Sequence, residues 1–155
     1  RCLNDPGFLV ICADQMLWSF LYNEALLAGF AVQRWPLTWV KTHVCGNNAA
    51  NYNYTKSTEI AMVCRKGNAQ LAVKSAVSHL VAPHDEFKDQ MRHPFVKPFK
   101  FWQFMVQHTT RINDLILEPF AGHGSGVSGR LRGEKVTTRP GCSGRGHTCT
   151  ASTRT

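Results

Sequence analysis

The apolar positions at the start of the chain follow the pattern of a strand and then that of a helix. Gly7–Ala13 (GFLVICA) is an unbroken apolar run between a Pro-Gly turn and an acid, which favours a buried strand over a short buried helix. From Gln15 to Ala28 the apolar residues recur at helical spacing, and Gly29 follows as a stop signal. This order is half of a βαβ unit, from which doubly wound α/β folds are built.

Further extended segments follow. Ala31–Trp35 and Leu37–Lys41 are rich in aromatic and β-branched residues and are separated by Pro36, and Thr58–Gly67 predicts a strand that closes in a basic turn. Residues 69–81 leave two interpretations open, a pair of strands or a weak helix. The number and order of these segments predict a mixed α/β domain.

A polar segment without periodicity, His43–Lys56, lies between two of the predicted strands. It predicts a loop, and loops of that length in compact domains are usually functional or disordered. Asparagine, tyrosine and lysine side chains suit contacts with phosphates and bases, although a polar surface loop explains the residues equally well. The candidate nucleic-acid contacts are Lys41, Asn47, Asn48, Tyr52 and Lys56.

The second half of the chain contains the candidate ligand site. A helical apolar face spans Phe101–His108, and Pro98 suits its first turn because a missing N–H costs nothing there. The N-terminus of that helix, with Lys97 beside it, would attract a carboxylate or a phosphate, although a solvated surface lysine is the simpler interpretation. The polar turn at 111–114 then leads into a short apolar strand, which runs through Glu118 into a glycine-rich turn. A strand that ends in such a turn is how a doubly wound sheet presents a ligand loop.

Composition and charge restrict the class of protein, its location and its possible partners. The 155 residues are 43% hydrophobic, enough for one domain with a core. No apolar run approaches the roughly 20 residues of a membrane span, and residues 1–6 lack a signal-peptide layout, so we expect a cytoplasmic protein. The chain begins without methionine, which suggests a piece of something longer. Its net charge of +8 is compatible with nucleic acid as a partner but does not require it, because solubility alone would explain the charge.

Residues 128–155 differ in composition from the rest. They are rich in Gly, Arg, Ser and Thr and have few apolar residues, so they cannot bury enough surface to offset their ordering entropy. We therefore expect a flexible, disordered tail. Much of the basic excess belongs to it, since its single acid is Glu134 and its basic residues are Arg130, Arg132, Lys135, Arg139, Arg145 and Arg154.

The six cysteines do not form a zinc pattern. No pair has C-x2-C or C-x4-C spacing, and Cys12 and Cys64 lie in apolar strand-like runs, which favours buried free thiols. Cys142, His147 and Cys149 are closer to metal-ligand spacing, but they have no apolar neighbours to build a surrounding shell. We therefore predict no metal site.

Two motifs give the chain a family resemblance. Residues 93–98 (HPFVKP) are similar to the His-Pro-x-x-Lys-Pro motif of the permuted, β-type S-adenosylmethionine-dependent DNA methyltransferases that modify N6 of adenine or N4 of cytosine. About twenty residues later, residues 117–125 (LEPFAGHGS) are similar to that family's Asp-Pro-Phe-x-Gly-x-Gly-[ST] motif. Residues 39–41 and 61–67 also resemble its strand ends, and the resemblance covers roughly residues 7–127.

The resemblance implies a fold, a cofactor and a site. The fold would be part of a doubly wound, Rossmann-like methyltransferase sheet in residues 1–127, the cofactor S-adenosylmethionine and the partner double-stranded DNA. Glu118 stands where the family usually has Asp and would face the cofactor's ammonium, whereas Phe120 would pack along the cofactor, beneath the loop or simply in the core. The implied cofactor-binding residues are Pro94, Lys97, Pro98, Glu118, Pro119, Phe120, Ala121, Gly122 and Gly124.

The chain also departs from the family pattern. The catalytic Asp/Asn/Ser-Pro-Pro-aromatic motif, which accepts hydrogen bonds from the flipped base, does not occur in the sequence, so no catalytic residue is predicted. In the family order this motif precedes the strand at Gly7, and we interpret the chain as incomplete at both ends, with a frameshift near Ser128 as a hypothesis for the tail. The alternative function is a catalytically inactive, nucleic-acid-binding remnant of such an enzyme.

Overall fold

The computed structural model of the chain describes residues 3–43, 51–83 and 97–120, together with the backbone of 137–140. A mixed sheet forms the centre of the described part, with the strand order β1-β4-β3-β5 and with β2 beside β4. The strands of this sheet are β1 (Gly7–Ala13), β2 (Ala31–Val32), β3 (Leu37–Lys41), β4 (Thr58–Lys66) and β5 (His79–Ala82). The mixed α/β class predicted from the sequence is confirmed.

Strand β4 runs antiparallel between two strands that point the same way. It pairs with the whole of β1 through Ile60–Lys66 and with β3 through Thr58–Ala61, while β3 and β5 are parallel. The carboxyl ends of β1, β3 and β5 therefore lie at the same edge as the beginning of β4. Ligands bind at the carboxyl edge in open α/β sheets, so this edge is where a site is expected.

A helix packs on each face of the sheet. Helix α1 (Trp18–Leu27) follows a 3-10 turn at Gln15–Leu17, and helix α2 (Phe99–Thr109) covers the opposite face. Successive residues of β4 belong in turn to two apolar clusters, one on each face of the sheet, because successive side chains of a strand point to opposite faces. The α1 cluster is built on Ala25, Met62 and Cys64, and the α2 cluster on Leu37, Trp39, Ala61, Val63, Ala82, Phe101 and Met105.

The end of α1 is a glycine cap, as its sequence predicts. Gly29 adopts a left-handed conformation with φ of 83°, and its N–H donates to the Leu26 carbonyl. The N–H of Phe30 donates to the Ala25 carbonyl, which completes a Schellman motif. Phe30 also packs on the cluster that contains Ala25, so the cap joins the helix to the sheet.

The beginning of α2 is set by Pro98. This proline precedes the helix in extended conformation, and its carbonyl accepts the first helical bond from the N–H of Phe101, at 3.0 Å. The side chain of Pro98 is fully buried. Lys97 is therefore held immediately before the helix, close to the carboxyl edge of the sheet.

Strand β6 (Leu115–Glu118) lies in a second, two-stranded sheet. It pairs in parallel with β7 (Thr137–Pro140), a strand within the segment predicted to be disordered, which the sequence pattern did not reveal. Strand β6 is the short apolar strand that the sequence predicted to lead into the glycine-rich turn. The remainder of the 128–155 tail lies outside the described residues.

Three expectations about local structure are corrected. Residues 69–78 form turns and bends, and only the strand at His79–Ala82 remains of the proposed strand pair or helix. Strand β2 covers only Ala31 and Val32 of the predicted extended segment, because the chain bends before Pro36. Strand β1 is half-buried throughout rather than buried, since β4 is its only partner among the described strands.

No helix in the described ranges is long and apolar enough to cross a membrane.

Candidate cofactor and DNA site

Three charged side chains meet at the carboxyl edge of the sheet on the α2 side. Lys41 ends β3, Glu59 lies next to the start of β4, and Lys97 precedes α2. The Lys41 Nζ lies 2.9 Å from Glu59 Oε1, and the Lys97 Nζ lies 3.4 Å from Glu59 Oε2. One carboxylate thus joins lysines from two distant parts of the sequence, and we call this group the Glu59 cluster.

Trp39 fixes the base of the Glu59 cluster. It pairs with Glu59 in the β3–β4 register and has no exposed surface. Its indole Nε1 donates to the carbonyl of Ala82 at 2.9 Å, and its ring lies 6.2 Å from that of Phe101. The ammonium of Lys41 lies 5.2 Å from the centre of the Trp39 ring, within the range of a cation–π interaction. The orientation of Lys41 therefore follows from a rigid core residue.

Glu59 is ionised in this setting. Partial burial would raise the pKa of its carboxyl group, but the hydrogen bond from Lys41 and the positive charges of Lys97 and Lys41 outweigh burial and hold the pKa below its ordinary value. The side chains of Lys41 and Lys97 are only 13% and 23% exposed. Lys97 is therefore not the solvated surface lysine that its sequence context alone would suggest.

The charges of Lys97 and Glu118 both act on the thiol of Cys12. Burial raises the pKa of its thiol to about 11, while the charge of Lys97 lowers it and the charges of Glu59 and Glu118 raise it. Each of the two motifs that carried the family resemblance therefore contributes a charge that acts on the same thiol.

Because of its raised pKa, Cys12 should be an unreactive thiol. We expect it to react with iodoacetamide at pH 8 about 100-fold more slowly in the folded chain than in urea, because only the thiolate is nucleophilic. Mass spectrometry of the peptide containing Cys12 measures both rates in parallel samples. Equal rates in the folded and unfolded chain would contradict the burial of this thiol.

Glu118 and Phe120 are both accessible to a ligand. Partial burial raises the pKa of the Glu118 carboxyl group above its ordinary value. Phe120 is 93% exposed, so the interpretation of this ring as an ordinary core residue is wrong. Pro119 is exposed beside it, whereas Ala121, Gly122, Gly124 and Pro94 lie outside the described residues.

The predicted DNA contacts separate into two groups. Tyr52 is almost fully exposed in the loop before β4, and so is Tyr54, which was not among the predicted contacts. Lys56 reaches across to Asp14 with an Nζ–Oδ2 distance of 3.0 Å, and both side chains remain more than half exposed. Lys41, in contrast, faces the Glu59 cluster. Asn47 and Asn48 lie outside the described residues.

Some residues of the candidate site were not found from the sequence. Glu59 and Cys12 were assigned to strands without a role, and Trp39 only as part of a strand end. A signal for Glu59 was present, because it is a charged residue just inside an apolar strand, two positions before the fully buried Ala61.

Both expected free thiols in the described residues, Cys12 and Cys64, are free, although only Cys64 is fully buried. The described residues contain no group of three His, Cys, Asp or Glu side chains that could hold a metal ion, and the Cys142, His147 and Cys149 group lies outside them.

The fold is that of solved DNA methyltransferases. The complex of M1.HpyAVI with SAM superposes with a TM-score of 0.71 at 21% identity over 88% of this chain and 70% of that chain. M1.HpyAVI alone gives 0.68 at 19% identity over 87% and 65%, and the cytosine-N4-specific PvuII DNA methyltransferase gives 0.63 at 12% identity over 85% and 58%. The chain therefore spans between 58% and 70% of the length of these structures. No curated protein sequence matches it significantly.

The sequence places the chain within this class of enzymes. Residues 1–128 match the model of the N6_N4_Mtase DNA methylases, and the chain belongs to that family. The methyl donor of the family is S-adenosylmethionine, the SAM of the M1.HpyAVI complex. The family resemblance drawn from the two sequence motifs is confirmed.

Proposed function

We propose that this chain binds S-adenosylmethionine at the carboxyl edge of its sheet and acts in the methylation of an exocyclic nitrogen of adenine or cytosine in double-stranded DNA. The observation that carries the proposal is the Glu59 cluster on the α2 side of that edge, where the Lys97 Nζ lies 3.4 Å from Glu59 Oε2. It is supported by the charges of Lys97 and Glu118, which both act on Cys12. These residues come from the two motifs that define the resemblance, and they are separated by a helix and a turn in the sequence.

The charges at this edge suit the amino-acid end of the cofactor, which carries an ammonium and a carboxylate. Glu118 offers a carboxylate for the ammonium. The Glu59 cluster contains two lysines and one glutamate, so a positive charge remains for the carboxylate. The exposed ring of Phe120 offers an apolar face beside them. The cofactor-binding residues proposed from the sequence, including Pro94, Pro98, Pro119 and the glycine turn, would surround the same ligand.

When bound, the cofactor supplies a methyl group activated by its sulfonium. The described residues would hold the cofactor and exclude water, while a target amino group needs a hydrogen-bond acceptor and an aromatic face. The 155 residues contain no Pro-Pro-aromatic sequence to provide them. We therefore propose that this chain by itself binds the cofactor but does not transfer its methyl group at a measurable rate.

Calorimetric titration of the chain with S-adenosylmethionine tests the central proposal. We expect saturable heat at one site per chain, and no methylated base when DNA and cofactor are incubated with the chain and the DNA is digested for mass spectrometry. Absence of binding heat together with intact DNA binding would favour the inactive remnant. Detection of methylated DNA would contradict the proposed lack of transfer by this chain.

The loop between β3 and β4 is proposed as the DNA-facing surface. Tyr52 and Tyr54 present exposed aromatic rings, and Lys56 lies beside them with more than half of its side chain exposed. Lysine can contact phosphates, and tyrosine can stack on bases. Lys41, at the root of this loop, and Asn47 and Asn48, within it, are included in the proposal. Because DNA is the proposed substrate, we also propose a cytoplasmic location.

Replacing both Tyr52 and Tyr54 with alanine should weaken DNA binding by about 30-fold or more, because two rings are removed and stacking on an aromatic side chain contributes roughly 1–3 kcal/mol per base. Lys56→Ala should instead reduce the salt dependence, by about one unit of slope in log K against log salt. Fluorescence anisotropy with a labelled duplex at several salt concentrations measures both effects. Phe20→Ala, which changes an exposed aromatic on α1, is the matched control, and equal losses from it would contradict a specific role for the loop.

A further inference from the structure

Glu59 is shared between two lysines that serve different parts of the proposed site. Lys97 belongs to the cofactor-binding motif, whereas Lys41 ends the strand from which the proposed DNA loop departs. Each lysine lies on a different oxygen of the Glu59 carboxylate, at 2.9 and 3.4 Å. No other charged residue among the described ones joins these two lysines by an ion pair.

The surroundings of Glu59 distinguish it from an ordinary surface ion pair. Exposed ion pairs contribute little, because water screens them and two long side chains must be ordered. Here the carboxylate is 27% exposed and its two lysines 13% and 23%, and the strand partner of Glu59 is the fully buried Trp39. The carboxylate is therefore held in place by the sheet, and the lysines are oriented toward it.

We propose that Glu59 is a positioning residue that holds Lys97 for the cofactor and Lys41 for DNA, so that a single carboxylate supports both binding functions, each through its own lysine. The inference rests on the proposed function, because it takes Lys97 as a cofactor residue and Lys41 as a DNA residue. Nothing in it requires Glu59 to touch either ligand.

Removal of the Glu59 charge should have a defined pattern of effects. In Glu59→Gln the two ammonium groups lose their shared partner and repel each other. We expect cofactor affinity and DNA affinity each to fall about tenfold, the order of effect of losing a hydrogen bond between charged groups. Glu59→Asp keeps the charge on a shorter side chain, and we expect it to restore part of both affinities.

Double-mutant cycles test whether the effects pass through the lysines. Cofactor affinity is measured by calorimetry for the parent, Glu59→Gln, Lys97→Met and the double variant, and DNA affinity by anisotropy for the corresponding set with Lys41→Met. In each cycle, we expect Glu59→Gln to have little further effect once the lysine is gone. Glu24→Gln, an exposed carboxylate on α1, is the matched control. Thermal melts establish that every variant is folded at the temperature of the titrations.

A chemical readout examines the Glu59 cluster without any ligand. Reductive methylation followed by peptide mass spectrometry should label Lys41 and Lys97 more slowly than the exposed Lys74 in the parent. Glu59→Gln should speed up labelling at the first two sites and leave Lys74 unchanged.

The outcomes separate the inference from the proposed function. An equal loss from Glu59→Gln with and without the lysines would show a general effect on the fold and overturn the positioning role. Unchanged labelling of both lysines would also overturn it. If the parent binds no S-adenosylmethionine, the proposed function fails, and the labelling result still decides whether Glu59 holds the two lysines.

Discussion

Trp39→Ala is expected to lower the free energy of unfolding by about 3–5 kcal/mol, the usual cost of removing a large aromatic side chain from a core. Trp39 is fully buried and packs in the α2 cluster beside Phe101. Its substitution would also leave the carbonyl of Ala82 without the indole N–H, which it accepts at 2.9 Å. Urea denaturation followed by circular dichroism measures the change.

The chain offers a matched control for this substitution. Trp35 lies four residues earlier and is 59% exposed, so Trp35→Ala should change the free energy of unfolding by less than about 1 kcal/mol. Trp39→Phe keeps an aromatic ring but removes the N–H, and should fall between the two. Equal losses from Trp35→Ala and Trp39→Ala would contradict the packing described for the α2 cluster.

Glu118 substitutions should have the largest effect on cofactor binding. Glu118→Gln removes the charge that would face the cofactor's ammonium and should weaken binding about tenfold, while Glu118→Lys adds a repulsion and should weaken it about 100-fold. Calorimetric titration with S-adenosylmethionine measures both. Glu24→Gln, on the opposite side of the sheet, should leave the affinity unchanged.

The pH dependence distinguishes a direct contact from a change in fold. Burial raises the pKa of Glu118 above its ordinary value, so this carboxyl group takes up its proton earlier than Glu59 as the pH falls. Protonated Glu118 carries no charge for an ammonium. Cofactor affinity of the parent should therefore fall as the pH decreases toward the pKa of Glu118, and Glu118→Gln should lack this component. Parallel pH profiles for the two proteins would argue against the contact.

Local sequence signals predicted the elements whose structure depends on neighbouring residues. The helical spacing before Gly29 and the glycine itself were sufficient to define α1 and its end, because the cap requires a left-handed residue. The apolar run at Gly7–Ala13 similarly identified β1. Residues 69–78 gave no comparable signal, and their turns depend on contacts with the rest of the domain.

The candidate site was only partly predictable, because some of its contacts depend on how distant strands pair. The motif residues Lys97 and Glu118 were proposed from the sequence, and the charges of both act on Cys12. Glu59 was missed because its partners are set by strand register: β4 must run antiparallel beside β3 before Glu59 lies opposite Trp39 and beside Lys41. Neither direction nor register of a strand can be read from its hydrophobic pattern alone.

The position of β4 between β1 and β3 also affects the order in which the domain can be completed during synthesis. Register joins Ala13 to Ile60 and Gly7 to Lys66, so the pairing of β1 with β4 cannot form until β4 has also left the ribosome. Contacts between such distant residues form slowly, because a long loop must close first. The edge of β1 that β4 covers therefore stays unpaired by β4 while dozens of residues are added, and this interval is when a chaperone would protect that edge most.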